Sequence, residues 1–257
     1  MQNYNSNPNI IEAKGLKKYF SIESGFFRRE TGIIKAVDGV DVDLKYGQTL
    51  GIVGETGSGK TTLAKLLAGL YKPTEGAIYY EGSEKIIRKN FQMVFQHPYY
   101  SLNPKMKMGD ILKEGLIIHK IVEPSKIKQR LFNLLDMVHM PKDSLSRYPH
   151  EFSGGERQRI AIGRALSVEP KMIIYDEPVS SLDVSIQGKI LHLLLELQKN
   201  LNLSYIFISH DILIVKAIST RIAVMYQGKI IEEGEAVQIF EHPVQEYTKE
   251  LMSAARY

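Results

Sequence analysis

The chain has 257 residues, of which 44% are hydrophobic, 24% charged and 9% aromatic, and its formal net charge is +4. This balance suits a globular protein with room for one large α/β domain, and it excludes collagenous, disordered and coiled-coil classes. The mild positive charge falls short of a nucleic-acid footprint, so no nucleic-acid partner is expected. With no cysteine in the chain, disulfides and thiolate metal sites are excluded. No apolar run approaches the roughly 20 residues that cross a bilayer. The opening MQNYNSNPN is too polar for a signal peptide, so the chain is expected in the cytoplasm, with only peripheral membrane contact.

Residues 1 to 9 read as a loose tail. IIEAKGLKKYF and IIKAVDGVDVDL then alternate apolar and polar residues as antiparallel strands do, with SIESGFFRRETG between them as a long hairpin excursion. TLGIV is a short apolar run that enters a Gly-rich turn. TTLAKLLAGL has helical periodicity and ends near Gly69 and Pro73. AIYYEG and NFQMVFQ read as further strands, followed by HPYYSLNP, a loop of turn formers. From about 106 to 147 the pattern is helical, with Ile127, Leu131, Leu134, Leu135 and Val138 on one apolar stripe. MIIYD, SIQGKILHLLLELQK, SYIFIS, DILIVKAI and IAVMYQGKIIEEG then alternate strand and helix, which predicts a largely parallel sheet covered by helices.

The stretch Gly54, Glu55, Thr56, Gly57, Ser58, Gly59, Lys60, Thr61 matches G-x-x-x-x-G-K-[ST] between a predicted strand and a predicted helix. At ordinary glycine frequency the pattern arises by chance in on the order of one chain per hundred, and its context makes a mere capping turn improbable. Glycines let several N–H groups point at phosphate oxygens, and the helix that follows adds its positive end. Lys60 is expected to reach the β- and γ-phosphates, and Thr61 to place a hydroxyl on Mg²⁺. The loop alone does not choose among kinases, GTPases and motor ATPases.

MIIYDEP puts Asp176 and Glu177 at the end of a buried strand, where successive side chains face opposite ways. The first acid is the expected metal ligand; the second is placed to address the attacking water. Ser153, Gly154, Gly155 and Glu156 open a helical run and fit a capping box. That leaves two glycines unexplained, each costing about 1 kcal/mol in a helix. They make sense where an anion approaches bare backbone, and a second phosphate-binding end points to two chains sharing nucleotides.

FSGGERQRI resembles the ABC signature sequence. With the phosphate loop and MIIYDEP, nearly the whole chain resembles the nucleotide-binding domain of ABC transporters. The resemblance implies a P-loop α/β fold with an antiparallel β subdomain and a parallel-sheet core, the nucleotide-binding core covering 10–95 and 150–240, and a small helical subdomain (about 97–152) that carries the signature. Gln96 falls at the Q-loop position, where it would also meet the metal. Ser181, Leu182 and Asp183 resemble the D-loop, and His210 the switch histidine. Tyr19 matches the aromatic that stacks on adenine, with Phe20 as the alternative. Glu156 stands where the signature usually has Gln.

VFQHPYYSLNP, RYPHEFSGGERQRIAIGRAL and DEPVSSLDVSIQ are similar to the ATPases of oligopeptide, dipeptide and nickel importers. EHPVQEYTKEL resembles the start of that group's C-terminal extension (240–257), and without cysteines an iron–sulfur cluster is not expected there. The resemblance implies ATP and Mg²⁺ as ligands, with ATP lying between Gly57 to Thr62 of one chain and the partner's signature turn. It also implies a second, non-identical ATPase, two transmembrane permeases and an extracellular solute-binding protein. Peptides, nickel and metal–metallophore complexes all remain open as cargo. The rival reading is a soluble ABC ATPase that acts on ribosomes or DNA. Such proteins usually carry two nucleotide domains or a long coiled-coil insertion, and neither pattern is present.

Overall fold

A computed structural model describes residues 9–24, 29–81, 83, 86, 88–96 and 102–254. The tip of the SIESGFFRRETG excursion, most of the HPYYSLNP loop, and both chain ends lie outside the described residues. The chain forms two compact units, Met1–Ile86 with Ile206–Tyr257, and Ile87–Tyr205.

In the first unit β1 (Asn9–Ser24) and β2 (Arg29–Lys45) pair antiparallel. β4 (Glu75–Tyr80) lies on the other edge of β1. Alternation sends Ile11, Ala13, Val40 and Val42 into the core while the intervening charged residues face out. Asn9, assigned to the tail by sequence, already pairs with Lys45.

β3 (Thr49–Val53) is buried along its whole length. It lies between β7 (Ser204–Ile208) and β8 (Arg221–Tyr226), and runs parallel to β8. Continuous apolar runs of this kind belong to strands covered on both faces. β9 (Lys229–Glu235) departs from the parallel expectation by folding back antiparallel on β8. Its connection is Gln227-Gly228, both at positive φ (45° and 80°), and a two-residue turn of that kind makes a hairpin and leaves no length for a crossover. α1 (Lys60–Leu67) follows the phosphate loop.

In the second unit β5 (Phe91–Val94) and β6 (Met172–Asp176) pair in parallel. With them go the helices α2 (Met108–Ile118), α3 (Ile127–Met137), α4 (Gly154–Leu166) and α5 (Val184–Leu201). The predicted stripe is real: Leu131, Leu134, Leu135 and Val138 are buried, with Ile127 half-buried at its start. Tyr175 and Tyr205 meet edge to face at 5.0 Å in the core, and the Tyr205 hydroxyl donates to the Leu194 carbonyl at 3.1 Å. Burial raises both phenol pKa values, so they remain neutral hydrogen-bonding groups.

The close pairing of β4 with β1 depends on Gly76, which has φ 85°. A Cβ there would come within 2.4 Å of the Gly15 carbonyl oxygen. Gly76→Ala should lower stability by about 1–3 kcal/mol, read as a reduced midpoint in urea unfolding; an unchanged midpoint would show that this pairing yields to the methyl group.

Candidate nucleotide site

In the first unit the chain leaves β3 and wraps around the Lys60 ammonium. Nζ donates to the Gly54 carbonyl at 2.7 Å, the Glu55 carbonyl at 2.7 Å and Ser58 Oγ at 3.3 Å. Lys60 is only 5% exposed, so these oxygens replace the water its charge has lost. Two glycines make the wrap sterically possible. A Cβ on Gly54 (φ 152°) would lie 2.1 Å from the Met225 carbonyl oxygen, and one on Gly59 (φ 107°) 2.1 Å from that of Ala36. The Ser58 carbonyl accepts from Gly228 N–H at 2.9 Å, which fastens the loop to the β8–β9 turn.

Gly59 is also the N-cap of α1, with no side-chain cap, so no side chain competes for the first-turn N–H groups. Glu55, Thr56 and Gly57 are exposed, as is Thr61, while Thr62 is half-buried. These are the parts of an anion cradle: a fixed cation, an exposed loop and a helix start with no side-chain cap.

His210 follows β7 and is exposed. Its turn is held by Ser209 Oγ, which accepts from Asp211 N–H at 3.0 Å, and by Asp211, which accepts from the N–H groups of Leu213 and Ile214. The two aromatic candidates part company. Tyr19 donates its hydroxyl to Asp38 Oδ1 at 2.5 Å and pairs in register with Lys35, beside the Ala36 carbonyl that abuts Gly59. Phe20 packs edge to face on Tyr71 at 5.8 Å, with Lys18 Nζ 5.3 Å from its ring centre.

In the second unit Asp176 ends β6 and is 3% exposed. Glu177 follows at φ 48°, a left-handed conformation that costs a non-glycine residue of order 1 kcal/mol and is commonest at functional sites. Ser180 N–H and Oγ–H both donate to the Glu177 carbonyl, at 3.4 and 3.1 Å, and hold the turn. Gln96, 81 residues upstream, donates Nε2–H to Glu177 Oε2 at 3.0 Å. That uses one of the two amide N–H groups and leaves the carbonyl oxygen of Gln96 for another partner.

The Ser153–Glu156 capping box is formed. Ser153 Oγ accepts from Glu156 N–H at 3.3 Å, and Glu156 Oε2 accepts from Ser153 N–H and Oγ–H, both at 2.8 Å. The glycines that sequence reasoning assigned to an anion also have a packing reason. A Cβ on Gly155 would stand 2.6 Å from Ile186 Cγ2, and one on Gly154 3.2 Å from Leu182 Cδ2. The signature turn is thus pressed against the start of α5, where Asp183 sits exposed at the N-cap without using its side chain to cap.

One residue near the cradle was not assigned any role from sequence. The Tyr247 hydroxyl accepts from Glu55 N–H at 2.9 Å. Its only sequence signal is its place in EHPVQEYTKEL.

A P-loop cradle on a β3–α1 junction, together with an acidic pair at the end of β6, defines a P-loop nucleoside triphosphatase. Comparison with known proteins narrows this. Residues 37–180 match the ABC transporter family model. The oligopeptide transport ATP-binding protein AppF of Bacillus subtilis is 47% identical over 95% of this chain and 78% of its own length. The dipeptide transport ATP-binding protein DppF of Escherichia coli is 43% identical over 95% of this chain and 76% of its own. Among solved structures, a dimeric ATP-binding cassette in a post-hydrolysis state with ADP and Pi superposes with a TM-score of 0.77 at 26% identity, covering 88% of this chain and 98% of that one. The chain belongs to the ABC transporter family. It is an ATP-binding transporter subunit that hydrolyses ATP to ADP and phosphate to power transport.

Glu156 offers a test of the signature turn. Hydrogen bonds from Ser153 hold its carboxyl pKa below the ordinary value. A carboxylate with a depressed folded pKa stabilises the fold above its unfolded pKa and loses that contribution as pH falls through the folded pKa. Glu156→Gln, which cannot titrate, should therefore show a shallower fall in Tm on acidification below the ordinary carboxylate range than the parent. Parallel Tm–pH curves would remove the charge from the cap.

Proposed function

We propose that this chain drives peptide uptake as one of two ATPase subunits, most simply a non-identical pair, on the cytoplasmic face of a pair of permeases fed by an extracellular solute-binding protein. The cargo reading rests on the relatives named above, which are peptide transport proteins along nearly the whole chain. Among the described residues no helix is long and apolar enough to cross a membrane, which supports separate subunits as the membrane-spanning part. A helical subdomain over about 97–152 would carry nucleotide-driven motion to them by rigid-body rotation.

The observation that carries the hydrolytic reading is the bond from Gln96 to the strained Glu177. Lys60, aimed by its carbonyl partners, meets the β- and γ-phosphates, and the amides from Gly57 to Thr62 surround them. Tyr19 stacks on adenine; Phe20 is already engaged by Tyr71. Glu177 accepts a hydrogen bond from the attacking water and aims its oxygen at the γ-phosphorus, while His210 contacts the γ-phosphate. Ser153 and Gly155 address the nucleotide held by the partner subunit, and Asp183 lies beside them at that junction.

Mg²⁺, when bound, supplies charge neutralisation at the β- and γ-phosphates. The residues fit it: the carboxylate of Asp176, the Thr61 hydroxyl and the free carbonyl oxygen of Gln96 are hard oxygen donors. No group of three or more His, Cys, Asp or Glu side chains suited to a metal occurs among the described residues. An ion that takes most of its ligands from phosphates and water does not need one.

Glu177→Gln should keep ATP binding while hydrolysis falls about 100-fold or more, with a closed dimer accumulating in size-exclusion chromatography with ATP. Ordinary turnover would remove Glu177 from the chemistry. Lys60→Ala should weaken ATP binding itself by about 10- to 150-fold, the scale of one charge-assisted hydrogen bond, by titration with a fluorescent ATP analogue.

A further inference from the structure

The peptide unit between Gly54 and Glu55 is held at both ends. Its carbonyl accepts from Lys60 Nζ at 2.7 Å, and its N–H donates to the Tyr247 hydroxyl at 2.9 Å. A peptide is planar, so fixing the N–H fixes the direction of the carbonyl that holds the lysine. After α6 (Ile212–Ile218) and α7 (Ala236–Glu241) the chain forms α8 (Glu246–Ala254), which carries Tyr247, 192 residues along the chain from Glu55. The ring of Tyr247 lies 4.4 Å from that of Tyr226 at the end of β8, next to Met225, whose carbonyl abuts Gly54. α8 is itself anchored. Glu232 on β9 accepts from Val244 N–H at 2.7 Å and Gln245 N–H at 2.9 Å, and Thr248 and Met252 are buried. Burial raises the Tyr247 phenol pKa, which keeps the hydroxyl neutral.

We propose that Tyr247 is a positioning residue for nucleotide binding, setting through the Gly54–Glu55 peptide the carbonyl that aims Lys60, and so tying the C-terminal helix to ATP affinity. This rests on the reading of Lys60 as the phosphate-binding lysine. With the acceptor gone, the peptide can rotate and Lys60 loses its fixed approach to the phosphates. The effect then falls on binding and spares the chemical step.

Tyr247→Phe keeps the ring against Tyr226 and removes only the acceptor. In the full chain it should weaken ATP binding about fivefold, the scale of one neutral hydrogen bond. In the assembled transporter, KM for ATP should rise by the same factor with kcat within about twofold. Because the effect runs through Lys60, Tyr247→Phe should change nothing further in a Lys60→Ala background. Wild-type affinity in the Phe variant, or an equal loss in both backgrounds, would overturn the proposal, as would a loss explained wholly by a lower Tm of the nucleotide-free chain. If Lys60→Ala itself binds ATP like the parent, it is the reading of the lysine that fails.

Discussion

Lys60 brings an ammonium into the protein where it is 5% exposed, and a buried charge must be solvated by the fold itself. The carbonyls of Gly54 and Glu55 do this, and they can do so only because the backbone curls through glycines at positive φ. That curl is braced from outside by the Ala36 carbonyl of β2 against Gly59 and the Met225 carbonyl of β8 against Gly54. The antiparallel β1–β2 sheet and the parallel β3–β8 pair are therefore walls of one loop. Both sheets of the first unit thus keep that cation in place beside the exposed loop residues Glu55, Thr56 and Gly57.

The two glycine-bearing helix starts solve opposite problems. At α1 the cap is Gly59, which has no side chain, so the helix starts without a side-chain cap, as an anion-binding helix end requires. At α4 the cap is Ser153, and the box with Glu156 satisfies the turn from within. A phosphate that uses the Ser153 hydroxyl must take its proton from Glu156 Oε2. Glutamine, the usual signature residue, would accept that proton without a carboxylate's charge. The substitution therefore places a negative group where the proposed partner nucleotide would arrive, and the cost of that approach is set by how readily the Ser153 hydroxyl turns away.

Local patterns in the sequence carried most of this. The phosphate loop, the apolar strands TLGIV and SYIFI, the α3 stripe and the capping box are each written in residues a few positions apart, and each appears in the structure. Other features depend on pairs that no local pattern encodes. The Gln96–Glu177 bond spans 81 residues, and the Glu55–Tyr247 bond 192. The packing of Gly155 against Ile186 is set by how two helices approach, so its glycine could be read only as a ligand-facing residue. The left-handed backbone at Glu177 was equally hidden, because glutamate is not a residue whose type announces positive φ.

The start of α5 shows what stability leaves unused. An aspartate at an N-cap ordinarily accepts from the first-turn N–H groups and contributes about 1 kcal/mol, yet Asp183 makes no such bond. Beside it Val184 is 82% exposed, an apolar side chain in water at the start of α5, between the Leu182 and Ile186 that face the signature glycines. Neither choice helps an isolated chain. Both become favourable if a second ATPase chain covers this edge, burying the valine and giving the carboxylate a partner, and in the proposed pair that surface adjoins the nucleotide. In the proposed pair the catalytic groups of each chain are complete in sequence and still depend on assembly, since the signature turn of one chain would complete the cradle of the other.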